Sequence, residues 1–137
     1  MTDNIDIRKA GGVLIRDRKF LVTRAEGKDI FVAPGGKLEL GETAIEALKR
    51  EMMEEVQVAV GDDGLEELGT FYAQAAGNEA KTLEMKVFLI RDSVGDPVPT
   101  SEVEEVMWVN TQTRGVPLGS IFEHDIMPLL KEKGLID

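Results

Sequence analysis

Gly36-Lys37-Leu38-Glu39-Leu40-Gly41-Glu42 leads through Thr43-Ala44-Ile45-Glu46 into Arg50-Glu51-Met52-Met53-Glu54-Glu55. A glycine turn here feeds a helix. Thr43 followed three residues later by Glu46 has the pattern of a capping box, in which side chains satisfy the free N–H groups of a helix start. Ala44, Ala47, Leu48 and Met52 recur at helical spacing and predict a core-facing stripe. Glu51, Glu54 and Glu55 stand at i, i+3 and i+4, so they share another face near the C-terminal end. Like charges at that spacing repel, and they face the negative end of the helix dipole. Each effect costs from a few tenths to about 1 kcal/mol. A hard divalent cation such as Mg²⁺ or Mn²⁺ reverses the sign, because it prefers carboxylate oxygens and bridges to phosphates.

A solvated acidic helix face is the competing reading, since Glu forms helices well and the chain holds 26 acidic residues. The spacing weighs against it. Gly36, five residues, Glu42, seven residues, Arg50-Glu51, an apolar residue, any residue and Glu54-Glu55 follow one another in order. Such a coincidence falls on the order of once in several thousand chains of this composition.

Working outward, Ala10 to Ile15 and Phe20 to Thr23 are apolar runs joined by Arg16-Asp17-Arg18-Lys19, which predicts a hairpin. Ile30 to Ala33 reads as a short strand entering the breaker Pro34-Gly35-Gly36. Val56 to Val60 reads as a strand, and Gly61-Asp62-Asp63-Gly64 as a turn without the ligand spacing of a calcium loop. Leu68 to Ala75 and Leu83 to Ile90 predict a strand pair turning near Gly77-Asn78-Glu79. Asp92 to Thr100 reads as a loop and Val103 to Val109 as a last strand. Ser120-Ile121-Phe122-Glu123 predicts a second capping box, opening a helix to about Lys133. Strands and two helices in this order predict a mixed α/β sheet with a helix on each face.

At 137 residues and 42% hydrophobic content the chain suits one globular domain, residues 1–137. No apolar run is long enough to span a bilayer, and the first residues lack the pattern of a secretory leader. With no cysteine, thiolate metal sites and disulfides are excluded. A cytoplasmic protein without membrane partners is the resulting expectation. The net charge of −10 and the lack of a Lys/Arg cluster argue against nucleic acid as partner.

The segment Gly36 to Val58 closely resembles the signature box of the Nudix hydrolase family. Phe31-Val32-Ala33-Pro34-Gly35-Gly36 is similar to the approach to that box, and Glu102 to Trp108 to the family's late acidic strand. The resemblance implies a Nudix-type α/β/α sandwich with a mixed β-sheet. It implies hydrolysis of a pyrophosphate linkage in a nucleoside diphosphate-linked compound, with Mg²⁺ or Mn²⁺ as cofactor. The metal ligands it implies are Glu51, Glu54, Glu55 and the Gly36 carbonyl. Among the box glutamates Glu54 is the first choice as base, with Glu51 and Arg50 beside it as catalytic residues; Glu102, Glu104 and Glu105 from a distant loop are the alternative, with a solvated strand edge as the other reading of most of these three.

Arg50 and Glu42 look like the family's structural ion pair. Arg24 matches a position where similar proteins carry an arginine able to reach a substrate phosphate; a solvent-facing strand end is the other reading. Glu39 is open between a second metal and water, and His124 is read as a surface residue. Phe31, Tyr72, Phe88 and Trp108 are base-stacking or core residues. Gln57 replaces the usual box glycine, so it either adopts the left-handed conformation itself or the helix ends nearer Gly61.

The substrate expected is a nucleoside triphosphate or related nucleotide. ADP-ribose, nucleotide sugars and dinucleoside polyphosphates are the alternatives, as is a non-catalytic nucleotide-binding module. No proline lies between Pro34 and Pro97, so the family's ADP-sugar marker is absent, while Tyr72 lies near its dinucleoside-polyphosphate marker. A homodimer is an expectation by analogy alone.

Overall fold

The computed structural model describes residues 5–75 and 78–137. The predicted hairpin is present as β1 (Ile5–Arg16) and β2 (Lys19–Ala25). Asp17 and Arg18 both take positive φ, 53° and 61°, which gives the tight two-residue turn that suits the twist of paired strands. The hairpin then forks. Its strands pair only at Ile15 with Phe20 and Arg16 with Lys19. Beyond that, Val32 exchanges two backbone hydrogen bonds with Thr23, and the Gly12 N–H donates to the Pro34 carbonyl at 2.9 Å. The chain leading into the glycine turn is thus wedged between β1 and β2.

That wedge corrects the expectation of a strand at Ile30 to Ala33. Phe31 and Val32 form only isolated bridges, to Leu118 and Thr23. The strand lies instead at β3 (Gly35–Lys37), antiparallel to β1 through Gly35–Gly11, Gly36–Ala10 and Lys37–Lys9. Glycine there does not break the ladder. Gly35 has φ +154°, and a β-carbon on it would stand 2.0 Å from the Ala10 carbonyl oxygen.

Helix α1 (Ala44–Val56) starts as predicted, with Thr43 and Glu46 exchanging both bonds of a capping box. Ala47, Leu48, Met52 and Val56 are its buried stripe. Gln57 ends it in the left-handed conformation at φ 59°, ψ 35°, so the helix does not continue toward Gly61. A side chain in that conformation costs about 1 kcal/mol or more. Gln57→Gly is therefore expected to raise the unfolding free energy by roughly 0.5–1 kcal/mol, read by urea denaturation. Because Val56 belongs to the helix, the strand expected over Val56 to Val60 shrinks to β4 (Ala59–Val60).

A turn of 3-10 helix at Asp62–Gly64 precedes β5 (Leu65–Ala75), which pairs antiparallel with β6 (Asn78–Ile90). Gly77, expected near their turn, lies outside the described residues. β7 (Ser93–Val94) pairs with β4, so the expected loop over Asp92 to Thr100 holds a short strand. β8 (Val103–Val109) has the predicted bounds.

Among the described residues the main sheet is six-stranded, in the order β5-β6-β1-β2-β8 with β3 on β1; β1 and β6 run parallel and the other pairs antiparallel. Ala10, Leu14, Leu21, Phe88 and Ile90 pack on α1 on one face. Val13, Phe20, Val22, Met85, Val87 and Leu89 pack on the C-terminal helical segment on the other. That segment is π-helical over Ile121–Ile126 and continues as α2 (Met127–Glu132). The capping box expected at Ser120 is not made, because Ser120 is itself helical at φ −56° and its side chain caps nothing. The Gly119 carbonyl accepts from the Phe122 and Glu123 N–H groups instead. No described helix is long and apolar enough to cross a membrane.

Candidate active site

The C-terminal turn of α1 is fixed from outside the helix. Four carbonyls are free at any helix end. Here Thr100 Oγ1 donates to the Glu54 carbonyl at 2.7 Å, Thr100 N to Glu55 at 2.9 Å and Val98 N to Val56 at 2.9 Å. The loop before β8 therefore positions the glutamate-bearing turn.

Arg50 ties that turn to the preceding loop. It donates bidentately to Glu42 at 2.8 and 2.9 Å, and to the Lys37 carbonyl at 3.1 Å. Its charge also meets Glu39 at 3.1 Å, Glu51 at 2.7 Å and Glu54 at 3.4 Å. The Arg50 guanidinium, with the Glu39 N–H, pulls the Glu42 carboxyl down to about 2. Glu39 thus leans on Arg50.

Gly36 is the cradle for Glu51: a β-carbon there would stand 2.5 Å from the Glu51 carboxyl carbon. Glu55 crosses to the same strand and accepts from the Gly35 N–H at 2.8 Å. Both acids are desolvated. Burial raises Glu51 above the ordinary range, against the pull of Arg50. Burial pushes Glu55 up to about 7, and the Glu51 charge adds to it. Glu54 is the exposed member, its side chain 53% accessible.

The three glutamates thus share one turn but point to different partners. Among the described residues no three acidic or histidine side chains converge on a common point as ligands do. The donor set nevertheless fits a hard divalent ion. All donors are oxygen, two carboxyls are held out of water where their charge is disfavoured, and a side-chain-free residue opens the backbone beside them.

The folded chain keeps a proton on Glu55 that an unfolded chain has already lost. Without metal, stability is therefore greatest below about pH 4.5 on this group's account and falls as pH rises to about 7. The loss is on the order of 3 kcal/mol. Melting temperatures in chelator, taken from pH 5 to 8, are expected to fall across this window. Glu55→Gln flattens the curve, and Mg²⁺ raises the melting temperature most at the alkaline end.

Glu55, Gly35 and Gly36 open onto a cleft of about 740 Å³. Thr23, Ala25, residues 27–30, Val32 and Ala33 form one wall, with Ile7, Lys9, Leu83 and Met85 at the base and Gly119–Phe122 beyond. Arg24 does not line it. Thr23 and Ala25 do, so one step along the pleat Arg24 points elsewhere, into ion pairs with Glu104 at 3.1 Å and Glu105 at 3.2 Å. Those two alternative bases are thereby engaged; Glu102 remains close enough to Glu55 to act on its charge. Phe31, Tyr72, Phe88 and Trp108 do not line the cleft either. Phe31 and Phe88 are core, Tyr72 is exposed, and Trp108 lies under Arg16. His124 is exposed beside Glu123.

The family model for the NUDIX domain matches residues 6–122, which takes in the box, the wedge and the cleft. The chain belongs to the Nudix family. It is 31% identical over 108 residues to an 8-oxo-dGTP diphosphatase of Haemophilus influenzae, covering 75% of each chain. It is 26% identical over 125 residues to the Nudix hydrolase YvcI of Bacillus subtilis, covering 90% of this chain and 79% of that one. Its fold superposes on a MutT NUDIX hydrolase of Burkholderia pseudomallei with a TM-score of 0.73 at 22% identity, over 91% and 95% of the two chains. The protein is a Nudix hydrolase, and its α/β architecture is that of its Nudix neighbours.

Lys9, Lys28, Gln74 and the Gly119–Phe122 segment line the cleft without having been marked in the sequence. None carries a local signal of that role. Lys9 merely precedes an apolar run, and the others gain their place only through the tertiary fold.

Proposed function

We propose that this Nudix hydrolase cleaves a pyrophosphate linkage in a nucleoside triphosphate or closely related nucleotide, with Mg²⁺ or Mn²⁺. The observation that carries the reading is Glu55: a carboxyl held out of water against the Gly35 N–H, with its charge disfavoured, at the mouth of a nucleotide-sized cleft. The likeness to a diphosphatase of 8-oxo-dGTP favours the triphosphate class.

Glu51, Glu54, Glu55 and the Gly36 carbonyl oxygen are the groups to hold the ion. Its chemistry is to neutralise phosphate charge and to acidify water at neutral pH. Arg50 orients Glu51 and Glu54 while binding the 37–42 loop through Glu42. Glu54 serves as proton acceptor. Glu51 is pinned by Arg50 at 2.7 Å and Glu55 by Gly35, whereas Glu54 is held only at 3.4 Å and is exposed. The backbone of Gly35 and Gly36 lets phosphate approach closely, because neither presents a side chain.

The test is product release across a panel of nucleoside triphosphates, ADP-ribose, a nucleotide sugar and dinucleoside polyphosphates, with Mg²⁺ and with Mn²⁺. Expected is metal-dependent conversion of a triphosphate to monophosphate and pyrophosphate. A preference for ADP-ribose or a dinucleoside polyphosphate would overturn the substrate assignment.

A further inference from the structure

Lys9 occupies an unusual position for a cation in this chain. It lies on β1, where it lines the cleft beside Gly35, Gly36 and Glu55. Burial and the neighbouring Lys37 disfavour its charge, while Glu55 and Glu51 attract it. Among the described residues its ammonium makes no ion pair or hydrogen bond. Arg16, Arg18, Arg24, Lys49, Arg50, Lys86 and Arg91, by contrast, each hold a carboxylate.

Register adds a second cost. Lys9 and Lys37 are direct partners in the antiparallel β1–β3 ladder. Like charges opposite each other across strands destabilise the pair. Lys28 lines the same cleft from the wall. In a chain of net charge −10, three lysines from three separate segments therefore line one cleft. An anion of high charge density placed between them removes the repulsion and supplies the missing partner.

We propose that Lys9 is a phosphate-binding residue of the cleft, contacting the polyphosphate of the substrate from the sheet side while Lys37 flanks it across the ladder. This rests on reading the cleft as a nucleotide polyphosphate site. It also accounts for how so acidic a protein admits an anionic substrate. The field over the molecule repels phosphate, and the lysines lining the cleft oppose it locally. Arg24, whose charge is taken up by Glu104 and Glu105, leaves this role to Lys9.

The experiment is calorimetric titration of the full chain with inorganic tripolyphosphate in Mg²⁺, for the wild type, Lys9→Met, Lys9→Arg and the distant control Lys131→Met. Lys9→Met is expected to weaken binding at least tenfold and to raise KM for a nucleoside triphosphate by a similar factor, with kcat within threefold. Lys9→Arg stays within threefold of wild type, and Lys131→Met is unchanged. The melting temperature of Lys9→Met without ligand is expected to equal or exceed that of wild type, which separates lost binding from lost folding. Equal binding by wild type and Lys9→Met, or no binding by either, overturns the proposal. A wild type that binds tripolyphosphate through Lys9 yet cleaves no nucleotide upholds it and overturns the functional reading. Nucleotide cleavage with Lys9-independent binding does the reverse.

Discussion

Glu54→Gln is expected to lower kcat for the metal-dependent reaction by about 10²–10⁴-fold, the usual contribution of a positioned base. The side chain is exposed, so the fold and its melting temperature are expected to be unchanged. Glu55→Gln is expected to abolish activity to a similar degree but to act oppositely on stability. In chelator above pH 7 the glutamine removes a buried charge that the fold disfavours, so the variant melts higher than wild type. In saturating Mg²⁺ the order inverts, because only the wild type gains from the ion. Loss of activity with gain of metal-free stability is the signature of a residue kept for function. Steady-state kinetics and paired melts read both effects. Undiminished Mg²⁺-dependent cleavage in both variants would show that this turn does not carry the chemistry.

Gly35→Ala and Gly36→Ala are expected to fail in different ways although the residues are adjacent. At Gly35 the new methyl meets backbone: Ala10 O at 2.0 Å and Gly11 Cα at 2.8 Å, at φ +154°. Neither strand can yield without breaking the β1–β3 ladder, so a destabilisation of roughly 3 kcal/mol or more is expected. At Gly36 the atoms nearest the methyl are those of the Glu51 carboxyl group, 2.5 to 2.8 Å away. A side-chain end can rotate aside, so the expected stability loss is about 1 kcal/mol. The displaced carboxylate is then expected to weaken Mg²⁺ binding at least tenfold. Urea denaturation separates the two variants, and magnesium titrations of activity check the second.

These outcomes mark which parts of the molecule local sequence could convey. The helix start at Thr43, the buried Ala47, Leu48 and Met52 of the stripe and the tight turn at Asp17-Arg18 are decided within a few residues, and the structure has them where the pattern put them. The misreadings share a cause. Ile30 to Ala33 has strand composition, but its backbone is wedged where the β1–β2 hairpin forks, and the ladder moves on to Gly35–Lys37. Ser120 has cap chemistry, yet the chain is already helical there and winds as a π-helix. Gln57 shows that a missing glycine need not move a helix end when its own N–H is bonded to Met52 and Met53 carbonyls.

The glutamate turn was legible because its chemistry depends on spacing along one helix. The cleft was not, because Lys9, Gln74 and Phe122 meet only through strand order. Arg24 shows the converse. Its position along the strand was readable, but the pleat and the Glu104–Glu105 partners across β8 decide where it points.

The proposed function requires the crowded carboxylates of α1 to hold a divalent ion. Crystals grown with Mn²⁺ and a slowly cleaved nucleotide, with the anomalous signal of manganese mapped, test it most directly. The expected map places manganese against Glu51, Glu54 or Glu55 and the Gly36 carbonyl, with phosphate beside it. Ordered nucleotide in the cleft with no manganese there, and Glu55 still bonded to Gly35, would contradict the account.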